Sequence, residues 1–74
     1  MINYYIRPGG AIVKIDDSSK VIDLVLNIPT QKTLSQIDNI DYYNQTMNLV
    51  SGWTVSDQVT YETNKTAVLQ VLNN

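Results

Sequence analysis

Cysteine, histidine and phenylalanine are missing from this chain of 74 residues, and alanine occurs only twice. The absence of cysteine excludes disulfides, and the absence of histidine removes the commonest metal ligand of proteins. Nucleophilic catalysis also loses its usual bases, because a hydroxyl nucleophile needs a neighbouring group that accepts its proton near neutral pH. We therefore predict that the protein is not an enzyme and that it holds no metal and no cofactor.

Charge is also scarce, since only 16% of the residues are charged and the net charge is −2. The five basic residues stand singly, whereas a nucleic-acid-binding protein clusters them on one face. No apolar stretch approaches the roughly 20 residues that cross a bilayer. The first ten residues lack the basic and apolar regions of a signal peptide. These patterns predict a protein that is intracellular, or at least not secreted through a signal peptide, and that binds neither nucleic acid nor membrane.

The length predicts a single domain over residues 1–74. A domain of this size buries only about 60% of the surface that its unfolded chain exposes. Small domains therefore often depend on a disulfide, a metal or a partner for stability. With disulfides excluded, either a good core or a partner must supply that stability here.

The N-terminal part of the chain predicts a three-stranded antiparallel meander, because three runs are rich in β-branched and aromatic residues. Pro8 and Gly9 suit the second and third positions of a type II turn. Asp17-Ser18-Ser19 is a second turn, and Pro29 ends the third strand because it cannot donate to a ladder. The expected strands are residues 2–6, 11–16 and 21–28.

The middle of the chain predicts its secondary structure less clearly. Residues 30–43 fit a short helix or an irregular connection, and the helix is favoured by aliphatic residues at every third position, namely Leu34, Ile37 and Ile40. Residues 48–55 predict a tight hairpin with Ser51-Gly52 as its two-residue loop.

The C-terminal segment fits either a helix or a hairpin. A helix over residues 57–72, capped by Ser56 or Asp57, places four residues on one face: Tyr61, Lys65, Val68 and Leu72. A hairpin would pair residues 59–63 with 66–72, as the many threonines and valines favour. We predict the helix and hence an α+β fold: a small antiparallel sheet, made of the meander and a hairpin, with a C-terminal helix. The alternative is an all-β small sandwich or barrel.

Two pairs of carboxylates come nearest to acid–base or cation chemistry: Asp16 with Asp17, and Asp38 with Asp41. Aspartates in a turn more often bond to nearby backbone groups, so we expect Asx turns at Asp16 and Asp17. Gly9-Gly10 is too short for a phosphate-binding loop and precedes a strand rather than a helix. We predict no catalytic residue, no metal site and no small-molecule substrate.

Apolar side chains occupy both faces of the third predicted strand. Successive side chains on a strand point to opposite faces, so Ile22, Leu24, Leu26 and Ile28 line one face while Val21 and Val25 lie on the other. A sheet with one solvated face alternates more cleanly. Either the C-terminal segment or a partner protein is therefore expected to cover the second face.

Tyrosine and tryptophan are the natural candidates for contact with a partner, because they are enriched in the buried anchors of interfaces. Tyr42 and Tyr43 lie in a polar stretch, where few core residues are expected. Changing both to serine is expected to weaken assembly while the monomer stays folded. The predicted partner-binding residues are Tyr4, Tyr5, Tyr42, Tyr43 and Trp53.

Three segments resemble small proteins of tailed bacteriophages: residues 1–6, residues 10–17, and Gly52-Trp53 followed by Ser56-Asp57 and Tyr61. The eight isoleucines, eight asparagines and five tyrosines are typical of an AT-rich coding sequence, as in many such genomes. The resemblance implies a non-enzymatic capsid auxiliary or decoration protein that binds a larger capsid or neck protein, or itself. It also implies a place in the virion, and in the host cytoplasm before assembly. The alternative is a transient binding module, such as an assembly chaperone or a host-directed inhibitor.

Overall fold

Five antiparallel strands form one sheet with a helix packed on each face, in a computed structural model that describes residues 1–74. The elements in chain order are β1 (Ile2–Ile6), β2 (Ile12–Asp16), β3 (Val21–Ile28), β4 (Gln31–Ile37), α1 (Ile40–Leu49), a 3₁₀ helix (Val50–Gly52), β5 (Thr54–Val55) and α2 (Gln58–Leu72). The strand order across the sheet is β4-β3-β2-β1-β5. This architecture confirms the prediction of an α+β fold with a C-terminal helix.

The predicted meander and both of its turns are present. Gly9 has a φ of +99°, and the Gly10 N–H donates to the Arg7 carbonyl at 3.0 Å, as a type II turn requires. In the second turn, the Asp16 carboxylate accepts the Ser18 N–H at 3.0 Å, so Asp16 forms the expected Asx turn. Asp17 does not form one, because its carboxylate instead accepts the amino group of Met1 at 2.6 Å.

Residues 31–37 form a strand, so both alternatives for residues 30–43 were wrong over this stretch. A two-residue loop, Pro29-Thr30, turns the chain back so that Leu34 lies opposite Val25 and Ile37 opposite Ile22. Residues three apart on a strand lie on opposite faces. The spacing of three that favoured a helix therefore reflects a sheet that is apolar on both faces.

The hairpin predicted for residues 48–55 is absent. Asn39 starts α1, since its side chain accepts the Tyr42 N–H at 3.0 Å. The helix then runs through Leu49, and Ser51-Gly52 belongs to the 3₁₀ helix. Thr54–Val55 pairs with β1 instead of folding back on the residues before it, because the open edge of β1 offers it backbone partners.

The two helices cover opposite faces of the sheet. On the first, here named the α2 face, Tyr61 and Val68 of α2 pack against Ile12 and Val25. On the second, the α1 face, Tyr43 of α1 packs against three strand residues, namely Val13, Ile15 and Ile22. The C-terminal segment therefore packs on the face that carries Val25, which was one of the two expected solutions.

Candidate protein-binding site

The sheet separates the five aromatic residues that the sequence singled out. Tyr4 lies on the α2 face, where its ring centroid is 5.5 Å from that of Tyr61. The other four belong to the apolar cluster on the α1 face or pack against it, namely Tyr5, Tyr42, Tyr43 and Trp53. Tyr4 therefore cannot share one flat interface with the other four.

Tyr43 belongs to the core. Its side chain is only 7% exposed, and the Lys20 ammonium lies 5.0 Å from its ring centroid. Thr46, one helical turn later, is buried on the same side of α1. Polar neighbours in the sequence hid this burial, although the spacing Tyr43, Thr46 and Val50 follows the inner face of a helix. Tyr43 has almost no free surface with which to touch a partner.

The remaining aromatic residues of the α1 face gather at the β1 edge. Tyr5 and Arg7 share this face because they are two residues apart along the strand. Tyr5 pairs with Val55 and Ile6 with Thr54 in antiparallel register, and the same register continued by one residue sets Trp53 opposite Arg7. Tyr42 reaches in from α1, and its hydroxyl accepts a hydrogen bond from Arg7 Nη1 at 3.1 Å. These five residues are named the aromatic patch.

The aromatic patch is accessible. Val55 is 77% exposed, and the other four residues are half-buried. Sequence reasoning missed Arg7 and Val55. The signal for Arg7 was present in its spacing from Tyr5, whereas Val55 joins the patch only through the pairing of β5 with β1.

Arg7 gives the patch an unpaired positive charge. The ion pair of the structure joins the Met1 amino group to Asp17, and no carboxylate lies against Arg7. A guanidinium carries five N–H donors, and Tyr42 takes a hydrogen bond from Nη1. The patch therefore offers unused donors beside aromatic surface, which suits a carboxylate or carbonyl group on a partner.

A groove of about 340 Å³ lies on the α2 face between β3, β4 and α2. Its polar lining includes Asp23, Gln36, Tyr61 and Lys65. Burial raises the pKa of Tyr61 to about 12, and the nearby Asp23 charge adds to this shift. Tyr61 is therefore protonated at neutral pH and is not available there as a base.

Asp16 and Asp57 accept hydrogen bonds from backbone N–H groups. A hydrogen bond from the Ser18 N–H lowers the pKa of Asp16, and one from the Thr60 N–H lowers the pKa of Asp57 at the start of α2. No group of three acidic side chains comes together as a possible metal site. Neither helix has the length and apolar character to cross a membrane.

Comparison with models of protein families, with curated proteins and with solved structures found no match to this chain.

Proposed function

We propose that this protein is a non-enzymatic structural protein that binds a larger protein through the aromatic patch. The observation that carries the proposal is the Arg7 guanidinium, which donates to the Tyr42 hydroxyl and has no carboxylate of its own. Tyr42 and Trp53 pack against the same apolar cluster. Arginine, tyrosine and tryptophan are the residues that most often dominate binding energy in interfaces. Here all three types meet on one accessible surface.

The fold supports a binding role that is separate from folding. Helices α1 and α2 each pack against one face of the sheet within the single chain. A partner that covers the aromatic patch would therefore add to a domain that is already folded. Tyr4, on the opposite face, is not part of this proposed contact.

The proposed setting is a bacteriophage particle, in which the chain binds a larger capsid or neck protein. This setting rests on the resemblance of three segments of the sequence to small proteins of tailed phages. The proposed partner carries an acidic side chain or a free backbone carbonyl opposite Arg7, next to apolar surface for Trp53 and Val55.

The test uses particles of the phage whose genome encodes the chain, assembled with wild-type protein or with Arg7→Ala. Copy number per particle is measured by mass spectrometry. We expect a fixed copy number for the wild type and at least a tenfold loss of incorporation for Arg7→Ala, since truncated interface anchors cost about 2 kcal/mol or more. Lys14→Ala is the matched control, because it removes one positive charge from the opposite face.

Incorporation of Arg7→Ala at the wild-type level, with circular dichroism showing a folded chain, would reject the aromatic patch as the contact. Absence of the wild-type protein from finished particles would reject the structural role and favour a transient chaperone or inhibitor. Equal losses for Arg7→Ala and Lys14→Ala would indicate a general charge effect and would also count against the patch.

A further inference from the structure

Strand β4 has an open edge, since no strand lies beyond it in the sheet. Ile28 and Gln31 close a two-residue loop and face each other, so they exchange both of their backbone hydrogen bonds. In an antiparallel ladder such pairs alternate with pairs that exchange none. Hence Lys32, Leu34 and Gln36 direct their backbone N–H and C=O groups outward, where another strand can take them.

Helix α2 crosses the sheet towards this edge. It starts beside β1, where the Ser56 N–H donates to the Tyr4 carbonyl at 2.9 Å. Farther along, Asn64 Oδ1 accepts the side-chain amide of Asn27 on β3 at 2.9 Å. Lys65 then borders the groove above β3 and β4. The direction of the helix is thus from β1 to β4.

The last turn of α2 is apolar and exposed. Val68 is fully buried against the sheet, whereas Leu72, on the same side of the helix, is 53% exposed. Four residues advance a helix by about 6 Å, and neighbouring strands are about 4.8 Å apart. Because α2 runs from β1 towards β4, Leu72 lies farther out than Val68, by up to about one strand spacing. Leu69 and Val71 are also exposed in this last turn.

We infer that two copies of the chain pair antiparallel through β4 about a two-fold axis at Leu34, with the end of each α2 over the β4 strand of the other copy. The two sheets then form one continuous sheet, and both α2 helices remain on the same face. The apolar last turn of α2 then packs against β4 of the second copy, whereas in the single chain it has no strand beneath it.

The residues of β4 are self-complementary in this register. Leu34 lies opposite Leu34 of the second copy. Lys32 likewise lies opposite Gln36 of the second copy, and Thr33 opposite Ser35. No like charges meet, because Lys32 is the only charged residue of β4. A lysine on an edge strand often blocks such pairing, but here its ammonium turns back to the Ile28 carbonyl at 2.6 Å.

The groove provides room for the helix of the second copy. Asn64 reaches the Asn27 end of β3, and the groove lies on the other side of α2, above Asp23 and Gln36. The two-fold axis places Lys32 of one copy beside Gln36 of the other, so the end of each α2 enters above the partner's groove. Lys65 at this groove then meets a helix C-terminus whose last turn has no basic residue, and the charges are complementary.

Sedimentation equilibrium over a range of concentrations tests the dimer. We expect two copies for the wild type, and at least a tenfold weaker association for Gln36→Pro and for Leu72→Glu. Proline at position 36 removes an N–H that points away from β3, so the single chain keeps its ladder. Val59→Glu is the matched control, because Val59 is 75% exposed in the first turn of the same helix, and it should associate as the wild type does.

A cysteine at the axis gives a second, independent readout. The chain contains no cysteine, so Leu34→Cys should form a covalent dimer on oxidation, at the short Cα separation of directly opposed residues. Ser19→Cys, in an exposed turn, should not. If Leu34→Cys fails to fold, the double variant Thr33→Cys with Ser35→Cys places opposed cysteines in the same register.

A wild-type chain that stays monomeric at every concentration would overturn the inference, and so would a dimer that both Gln36→Pro and Leu72→Glu leave intact. Equal crosslinking of Leu34→Cys and Ser19→Cys would also overturn it. The proposed contact through Arg7 is judged separately by incorporation into particles, because Arg7→Ala should not change sedimentation.

Discussion

Serine substitutions at the adjacent residues Tyr42 and Tyr43 should have very different effects on stability. Tyr43 is 7% exposed, so Tyr43→Ser empties a site in the core. Loss of a large buried aromatic side chain costs about 3–5 kcal/mol. A domain of this length has a total stability of about 4–11 kcal/mol, at roughly 0.05–0.15 kcal/mol per residue. Tyr43→Ser should therefore remove a large share of that stability, and all of it at the lower end of the range. The structure thus corrects the expectation that both tyrosines can become serine without cost to the monomer, because Tyr43 lies in the core.

Tyr42→Ser removes a half-buried ring and a hydroxyl that accepts one hydrogen bond from Arg7. We expect a cost of about 1–2 kcal/mol, because a hydrogen bond contributes about 1 kcal/mol net and only part of the ring is removed from contact with the core. Tyr42→Ser should therefore remain folded while it loses a contact of the aromatic patch.

The assay is urea unfolding, followed by the fluorescence of Trp53, the only tryptophan, and by far-UV circular dichroism. With a slope of about 1 kcal/mol per molar urea for a small domain, Tyr43→Ser should lower the midpoint by about 3–5 M or abolish the transition. Tyr43→Phe is the control, since it keeps the ring beneath the Lys20 ammonium, and it should unfold close to the wild type.

Equal midpoints for Tyr42→Ser and Tyr43→Ser would refute this account of the core. They would mean that α1 does not turn Tyr43 towards Val13, Ile15 and Ile22. A wild-type midpoint for Tyr43→Ser would refute it more directly and would return Tyr43 to the candidate partner contacts.

Three further predictions concern the two helices. Asn39→Ala should lower the free energy of unfolding by about 1 kcal/mol in urea titrations, because it removes the N-cap of α1. Asn39→Asp should retain most of the stability that the cap contributes. In the folded state a hydrogen bond from the Thr60 N–H lowers the pKa of Asp57 from its ordinary value of 3.8. The stability that Asp57 contributes is therefore present above pH 3.8 and is lost as the pH falls through the lower, folded-state pKa. Asp57→Asn should reduce the loss of stability in acid. The pKa of Tyr61 is raised to about 12 from 10.0. The stability that Tyr61 contributes through this shift is therefore full below pH 10 and is lost as the pH rises through about 12. Tyr61→Phe should remove that step from an ultraviolet titration and reduce unfolding in alkali.

Local chemistry identified the elements whose signals lie within a few residues. Pro8 and Gly9 defined the turn between β1 and β2 because each accepts only a narrow range of φ. The predicted helix had Ser56 or Asp57 as its cap and an apolar spacing after it, and in the structure Asp57 is the cap of α2. In these cases the residues that make the structure are neighbours in the sequence.

The errors concerned segments whose structure depends on distant partners. Leu34 and Ile37 suggested a helix because their spacing is three, yet β3 pairs with them and two helices cover their opposite faces. Thr54–Val55 is a strand only because β1 has a free edge. Periodicity in a sequence cannot distinguish a helix from a strand that is buried on both faces.

The sequence by itself determined that the sheet is apolar on both sides, since side-chain alternation is a local property of the chain. It also supplied the aromatic residues and the absence of cysteine and histidine. Only the tertiary structure decided that Tyr43 lies in the core while Tyr42 meets Arg7, and that the apolar last turn of α2 is exposed. The physical reason is that burial and an open edge depend on which segments pack together, and those segments are far apart in the chain.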